Sequence, residues 1–174
     1  MLQRVTTHHL ARPGKPPLVR TLKHLGEDLA RTMVQGPNDR FHVTCDPTDL
    51  AKADALIVCV PTPLGKHMDP DLSYVESTTK TIAAHLRPGQ LVSLESTTYP
   101  GTTREVMLPV LEATGLKLGQ DFFLAYSPER EDPGRKSHNT QTIPKLVGGA
   151  DEVSGQLACA LYKDAISEVI PVSS

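Results

Sequence analysis

The chain has 174 residues, of which 39% are hydrophobic and 4% aromatic, and its formal net charge is −2. This length predicts one domain, with an aliphatic core. The small net charge predicts no nucleic-acid or membrane partner, and no apolar run approaches the roughly 18 residues of a transmembrane helix. The N-terminus lacks the apolar stretch of a signal peptide and the three cysteines show no paired spacing, so we expect a cytoplasmic protein.

Residues 1–20 follow neither a helical nor a strand period, and Pro13, Gly14, Pro16 and Pro17 interrupt any regular element there. We expect this segment to be a disordered arm, followed by one domain over residues 21–174. His8 and His9 are adjacent and therefore point in different directions, which predicts no metal site.

The rest of the chain alternates helical and strand patterns. Residues 55–60 are continuously apolar, as expected of a strand buried on both faces of a parallel sheet. Further strands are predicted at 41–44, 91–94, 122–125, 143–147 and 165–172. Helices are predicted at 22–34, 72–86, 103–114 and 152–162. This alternation predicts an α/β fold with a doubly wound parallel sheet.

Polar loops follow two of the predicted strands: residues 95–102 follow the strand at 91–94, and residues 126–134 follow the strand at 122–125. Open α/β sheets bind ligands at the carboxyl ends of their strands, so both loops are expected to face one crevice.

These loops resemble the nucleotide-sugar dehydrogenase family, the NAD-dependent enzymes that oxidise UDP-glucose and its relatives to uronic acids. The matching residues are Glu-Ser-Thr-Thr-Tyr-Pro-Gly-Thr-Thr and Tyr-Ser-Pro-Glu-Arg-Glu-Asp-Pro-Gly. Within the family, the loops resemble most the UDP-N-acetylhexosamine 6-dehydrogenase branch. The resemblance implies a Rossmann-like domain, NAD as cofactor, a UDP-sugar as substrate and, in the family, a homodimer formed through a central helix.

The resemblance also implies roles for individual residues. Thr97 and Glu129 match positions that serve the water which hydrolyses a thioester between cysteine and substrate. The cofactor-binding residues would be Val60, Pro61, Thr62, Pro63, Glu95, Ser96 and Thr97. The hexose would lie along Glu129, Arg130, Glu131, Asp132 and Pro133.

Plainer interpretations stay open at several of these positions. Residues 60–63 could equally be an ordinary proline-rich turn. The Thr97 hydroxyl could serve only to stabilise a turn, and Glu129 could be a solvated acid on a loop. Arg130 argues against UDP-glucose but not against UDP-N-acetylmannosamine, and it could instead pair with a neighbouring acid on the surface. Lys145 is expected to be solvated, and Cys59 and Cys159 to fill the core.

The sequence also departs from the family. It contains no Gly-x-Gly-x-x-Gly fingerprint to hold a pyrophosphate at a helix N-terminus, no Gly-Gly-His-Cys nucleophile block and no central dimerisation helix. We therefore expect a partial Rossmann-like sheet lacking its first two strands, with an unpaired edge at residues 55–60. We expect the chain to be a fragment of a UDP-N-acetylhexosamine 6-dehydrogenase that is catalytically inactive by itself. The alternative is a remnant that acts at most as a nucleotide-binding or interaction module.

Overall fold

The computed structural model describes residues 5–7, 44–64, 70–128 and 144–173. These residues contain one sheet with the strand order β1-β2-β3-β4-β5-β6. The strands are β1 Val5–Thr7, β2 Ala55–Val58, β3 Gln90–Leu94, β4 Phe122–Tyr126, β5 Lys145–Gly149 and β6 Val169–Ser173. The helices are α1 Ser73–Ala83, α2 Leu108–Glu112 and α3 Glu152–Lys163, with a 3-10 turn at Pro47–Lys52 and a π-helical turn at Thr103–Met107.

The edge of β2 is paired rather than open. β1 runs parallel to β2, with Val5 opposite Ala55 and Thr7 opposite Ile57. The expectation of an unpaired edge is therefore wrong, and these three residues of the predicted arm form a strand. In a doubly wound sheet the neighbour of the fourth strand is the first, so β1 lies in the first-strand position that we expected to be missing.

The sheet is mixed rather than wholly parallel. The pairs β1–β2, β2–β3 and β3–β4 are parallel, whereas β5 pairs antiparallel with β4 and parallel with β6. The α/β, Rossmann-like class is confirmed, and the prediction that every strand runs the same way is wrong. The alternation of helices and strands does not determine the direction of β5 relative to β4, because antiparallel neighbours can be joined without a helical crossover.

Helices cover both faces of the sheet, as in a doubly wound fold. One apolar cluster joins β2, β3 and β4 to α1 and α2, and includes Val75, Leu94 and Phe122. A second cluster lies under α3 and includes Ala125, Val147 and Leu161. Strands β2, β3 and β4 are thus buried between two helical layers, and the carboxyl edge of the sheet is left to the loops.

Strand β3 is buried at all five positions, and its two polar side chains are hydrogen-bonded. The amide group of Gln90 donates to the carbonyls of Leu50 and Ala53 and accepts from the backbone N–H of Arg87. Ser93 is hydrogen-bonded to the hydroxyl of Tyr162 on α3, at 2.8 Å. These bonds offset the cost of burying polar groups in the centre of the sheet.

Helix α3 begins where the sequence predicts. Asp151 is its N-cap and accepts from the N–H of Ser154 at 2.9 Å. The Ser154 hydroxyl accepts from the N–H of Leu124, so the first turn of α3 is bonded to β4. The helix also packs closely on β5, because a Cβ added at Gly149 would lie 2.1 Å from the backbone nitrogen of Gly155.

The other predicted elements within the described residues are found with shifted ends, and β6 begins at Val169 rather than at residue 165. Strands β3 and β4 are each one residue longer than predicted, and α1 begins at Ser73, whose N–H is bonded to the side chain of Asp71. The helix expected at 103–114 starts with the π-helical turn and ends at Glu112. The predicted helix at 22–34, the histidine pair and most of the strand at 41–44 lie outside the described residues. No helix within the described ranges has the length and apolar character required to cross a membrane.

Candidate functional site

Two loops lie side by side at the carboxyl edge of the sheet, one after β2 and one after β3. The Ser96 hydroxyl accepts from the N–H of Val60 at 2.9 Å and donates to the carbonyl of Val60 at 2.7 Å. One buried side chain therefore satisfies both backbone groups of a residue 36 positions away. The sequence-predicted residues Val60 and Ser96 are in direct contact.

A second link joins the same loops. The Thr62 hydroxyl donates to the carbonyl of Thr97 at 2.6 Å. The far end of the first loop is also bonded, because the N–H of Asp71 donates to the carbonyl of Pro63 at 2.8 Å. Residues 60–63 and 96–97 thus form one connected surface. Pro61, Pro63 and Thr97 are exposed on it, while Thr62 is half-buried.

The chain leaving β4 borders this pair of loops. The N–H of Ser127 donates to the carbonyl of Leu94 at 2.9 Å, which extends the β3–β4 pairing by one bond. The Ser127 side chain is fully buried, and its hydroxyl has no hydrogen-bond partner among the residues that the structure describes. The predicted substrate residues Glu129, Arg130, Glu131, Asp132 and Pro133 lie outside the described residues.

Glu95 contacts a polar cluster on the α3 side of the sheet. Its Oε1 atom accepts from the Tyr162 hydroxyl at 2.6 Å and lies 3.5 Å from Nζ of Lys145. The Lys145 ammonium also lies 4.9 Å from the centre of the Tyr162 ring. The expectation that Lys145 is solvated is wrong, since its side chain is 15% exposed.

The Tyr162 hydroxyl is held in its neutral form. Burial raises the pKa of Tyr162 well above its usual range, and the charge of Glu95 and the hydrogen bond to Glu95 raise that pKa further. Sequence reasoning missed Ser93, Lys145 and Tyr162 as members of this cluster. Tyr162 follows the apolar positions of an amphipathic helix and is 67 residues from Glu95, so only the fold brings the two together.

The loop surface is compatible with an anionic dinucleotide. Its exposed residues are prolines and hydroxyl residues, and the one carboxylate among the candidate cofactor residues, Glu95, is paired with Lys145 and bonded to Tyr162. A carboxylate directed at the same surface would repel the phosphates of NAD. The residues at this edge therefore fit the cofactor that the resemblance implies.

The three cysteines lie in different surroundings. None of them forms a disulfide; Cys45 is exposed, Cys159 is buried within α3, and Cys59 is half-buried directly after β2. The core assignment is confirmed for Cys159, which belongs to the cluster under α3. A separate cleft of about 620 Å³ opens beside α3 and β6, and none of the candidate residues in the described part of the chain lines it.

Comparison with known proteins gives a family match over most of the chain. Residues 21–166 match the UDP-glucose/GDP-mannose dehydrogenase family, NAD binding domain. The chain is 42% identical over 120 residues to a UDP-N-acetyl-D-glucosamine 6-dehydrogenase of Pseudomonas aeruginosa, covering 68% of this chain and 28% of the relative. It is 39% identical over 127 residues to a UDP-N-acetyl-D-mannosamine dehydrogenase of Pyrococcus horikoshii, covering 73% and 30%.

Among solved structures, the fold is similar to an NDP-N-acetyl-D-galactosaminuronic acid dehydrogenase from Methanosarcina mazei, with a TM-score of 0.76 and 28% identity. That match covers 99% of this chain and 44% of the solved chain. The chain thus spans about a third of the length of the curated relatives it matches. The resemblance seen in the two loops is confirmed, and the chain belongs to the UDP-glucose/GDP-mannose dehydrogenase family, whose NAD-binding domain it carries.

Proposed function

We propose that this chain is the cofactor-binding part of an NAD-dependent dehydrogenase that oxidises the C6 alcohol of a UDP-N-acetylhexosamine to the uronic acid. The observation that supports this most is the pair of linked loops at the carboxyl edge. Hydrogen bonds between Ser96 and Val60 and between Thr62 and Thr97 hold these loops together. When bound, NAD supplies the acceptor for the hydride. We place the protein in the cytoplasm, where cysteines that form no disulfide stay reduced.

In this proposal the loop residues hold the cofactor and orient water. Val60, Pro61, Thr62, Pro63, Ser96 and Thr97 form the surface on which NAD lies, and Glu95 joins it through its backbone. Thr97 is exposed and its carbonyl is held by Thr62, so its hydroxyl is available to orient a water. Glu129 would accept the proton of that water, and residues 130–133 would contact the hexose.

The 174 residues contain no Gly-Gly-His-Cys block, and none of the three cysteines supplies the thioester nucleophile of the family. We therefore propose that this chain binds cofactor but does not turn over substrate by itself. Turnover of NAD and UDP-N-acetylglucosamine by the purified 174-residue chain would contradict this part of the proposal.

Titration of the purified chain with NADH tests the cofactor proposal. The sequence contains no tryptophan, so NADH fluorescence can be read without indole emission. We expect saturable enhancement in the wild type and an affinity about two- to tenfold lower in Thr62→Val, which loses one hydrogen bond between the loops. Thr81→Val is the matched control, because its hydroxyl bonds only within the exposed face of α1.

A second candidate is a remnant that binds no dinucleotide and acts at most as an interaction module. The missing Gly-x-Gly-x-x-Gly fingerprint favours it, because that loop normally holds the pyrophosphate at a helix N-terminus. A flat NADH trace from a correctly folded chain would support this candidate and overturn the cofactor proposal.

The sugar preference has its own test. We expect UDP-N-acetylglucosamine or UDP-N-acetylmannosamine to bind more tightly than UDP-glucose by calorimetry, and Arg130→Ala to remove the difference. Equal affinity for UDP-glucose in the wild-type chain would withdraw the N-acetylhexosamine assignment while leaving the dehydrogenase class in place.

A further inference from the structure

Four polar side chains from three separate parts of the chain meet beneath the end of β3. Ser93 and Glu95 come from β3 and the residue after it, Lys145 begins β5, and Tyr162 lies near the end of α3. Tyr162 is bonded to Ser93 at 2.8 Å and to Glu95 at 2.6 Å, while Lys145 lies 3.5 Å from Glu95. These contacts join the loop after β3 to elements that contribute nothing else to the candidate site.

The direction of the hydrogen bonds follows from the chemistry of the groups. An ionised carboxylate only accepts, so the single hydroxyl proton of Tyr162 is donated to Glu95. The Tyr162 oxygen is then the acceptor for the hydroxyl of Ser93. Ser93 thus donates to Tyr162, and Tyr162 donates to Oε1 of Glu95, where the chain of hydrogen bonds ends.

The ion pair is mostly removed from water. The Lys145 and Glu95 side chains are 15% and 16% exposed, so neither charge is well solvated. Charges in such positions are tolerated when they are paired and hydrogen-bonded, and become costly when one partner is lost. Removing Lys145 would therefore favour movement of the Glu95 carboxylate toward solvent.

Glu95 directly precedes the two residues that link the loops. Ser96 bonds both backbone groups of Val60, and Thr97 accepts from Thr62. The N–H of Glu95 itself donates to the carbonyl of Val58 at 2.9 Å. The Glu95 side chain is therefore attached one residue before the surface proposed to hold the cofactor.

We propose that Lys145 and Tyr162 are positioning residues, which hold the Glu95 carboxylate on the α3 side of the sheet and thereby set the Ser96–Thr97 loop for an anionic dinucleotide. They act through Glu95 and do not touch the cofactor. This inference rests on the proposed function, and it assigns a role to residues outside the two loops that form the cofactor surface.

The first measurement needs no ligand. Amide hydrogen exchange is compared at Val60, whose N–H is bonded to Ser96, and at Val92 in the centre of β3. We expect Lys145→Met and Tyr162→Phe to speed exchange at Val60 by about tenfold or more while leaving Val92 within a few-fold of wild type. Unchanged Val60 exchange in both variants would overturn the positioning role.

The second measurement compares the NADH affinity of a variant that leaves Glu95 unpaired with that of a double variant in which the unpaired charge is also removed. Lys145→Met leaves Glu95 without its cation, and we expect its dissociation constant to rise by about tenfold or more. The double variant Glu95→Gln, Lys145→Met has no unpaired charge and is expected to recover most of that loss. It also keeps the test available if the single variant does not fold. An ion pair that served stability alone would leave the affinity of the folded variants unchanged and would overturn the proposal.

Matched controls separate the cluster from general effects of these substitutions. Lys163→Met removes an exposed lysine from the same helix that carries Tyr162, and Tyr74→Phe removes a hydroxyl from α1 on the opposite face of the sheet. Neither should change Val60 exchange or NADH affinity. If the wild-type chain binds no NADH, the proposed function fails, and exchange at Val60 still decides whether Lys145 and Tyr162 position the loop.

Discussion

The Ser96 hydroxyl donates to the carbonyl of Val60 and accepts from its N–H, at 2.7 Å and 2.9 Å, so one side chain joins the ends of β2 and β3. The link lies at the carboxyl edge, where doubly wound sheets bind ligands. Because Ser96 is buried, water does not readily replace these bonds. The hydroxyl is therefore expected to matter both for stability and for the shape of the candidate site.

Ser96→Ala tests this link. The substitution removes both bonds and leaves the backbone groups of Val60 unsatisfied in a half-buried position, which typically costs about 1–3 kcal/mol. We expect a loss of that size in the free energy of unfolding from urea denaturation. Ser77→Ala is the control, because its hydroxyl bonds only to the exposed turn below it and its loss should cost under about 0.5 kcal/mol. Equal effects in the two variants would show that the link is not stabilising.

Gly149→Ala tests the packing of α3 on β5. An added Cβ would lie 2.1 Å from the backbone nitrogen of Gly155 and 2.4 Å from the carbonyl oxygen of Asp151. Backbone atoms in a sheet and a capped helix cannot both move away, so we expect a loss of about 3 kcal/mol or more in thermal denaturation.

Gly115→Ala is the comparison for that variant. Its φ is +89°, but beyond its chain neighbours no atom of the described residues lies within 4 Å of the added Cβ, so only the backbone conformation is unfavourable. We expect a loss of about 1–2 kcal/mol. A Gly149→Ala variant as stable as Gly115→Ala would contradict the close approach of α3 and β5.

Gln90→Leu tests the buried amide at the start of β3. The variant keeps the apolar volume but removes the partners of the Leu50 and Ala53 carbonyls and of the Arg87 N–H. We expect about 2–4 kcal/mol of destabilisation in chemical denaturation, since each buried group left unpaired carries its own cost. A loss below about 1 kcal/mol would mean that water replaces these bonds.

The raised pKa of Tyr162 predicts a particular alkaline behaviour. In the unfolded chain the phenol ionises near pH 10, whereas in the folded chain burial and Glu95 keep it neutral to higher pH. Its contribution to stability is therefore complete below about pH 10 and is lost as the pH rises further, at about 1.4 kcal/mol per pH unit.

Tyr162→Phe should remove that slope. We expect the variant to be less stable than wild type at neutral pH, because Glu95 loses a hydrogen-bond donor. Between pH 10 and pH 11, however, the variant should lose less stability than wild type, and the difference should be about that expected from the ionisation of one phenol. Parallel curves for wild type and Tyr162→Phe would contradict the buried neutral phenol.

Much of the fold could be predicted from local patterns. The apolar run at residues 55–60, the Asp151 cap and the strands before the two polar loops are all encoded within a few neighbouring residues. Strand β1 was missed, because three residues are too few to show a period and proline and glycine follow soon after. The reversed direction of β5 was missed, because side-chain patterns are the same in both orientations.

The place of the candidate site was predicted in part. The resemblance to a family assigns the loop residues 60–63 and 95–97 to cofactor binding, and the structure brings these residues together. Their binding role stays a prediction. The Glu95 contacts with Lys145 and Tyr162 were missed, because they join residues 50 and 67 positions apart and nothing local marks a lysine as buried. The contact of Lys145 with Glu95 is therefore visible only in the folded structure.

The most direct test of the cofactor assignment is a titration of isotopically labelled chain with NADH, followed by amide chemical shifts. We expect saturable shifts at Val60, Glu95, Ser96 and Thr97, at the carboxyl edge of the sheet. Gly89 and Gly119, which precede β3 and β4 at the other edge, should stay unchanged. An absence of shifts at the two loops, or shifts confined to the opposite edge, would contradict the proposal that these loops hold NAD.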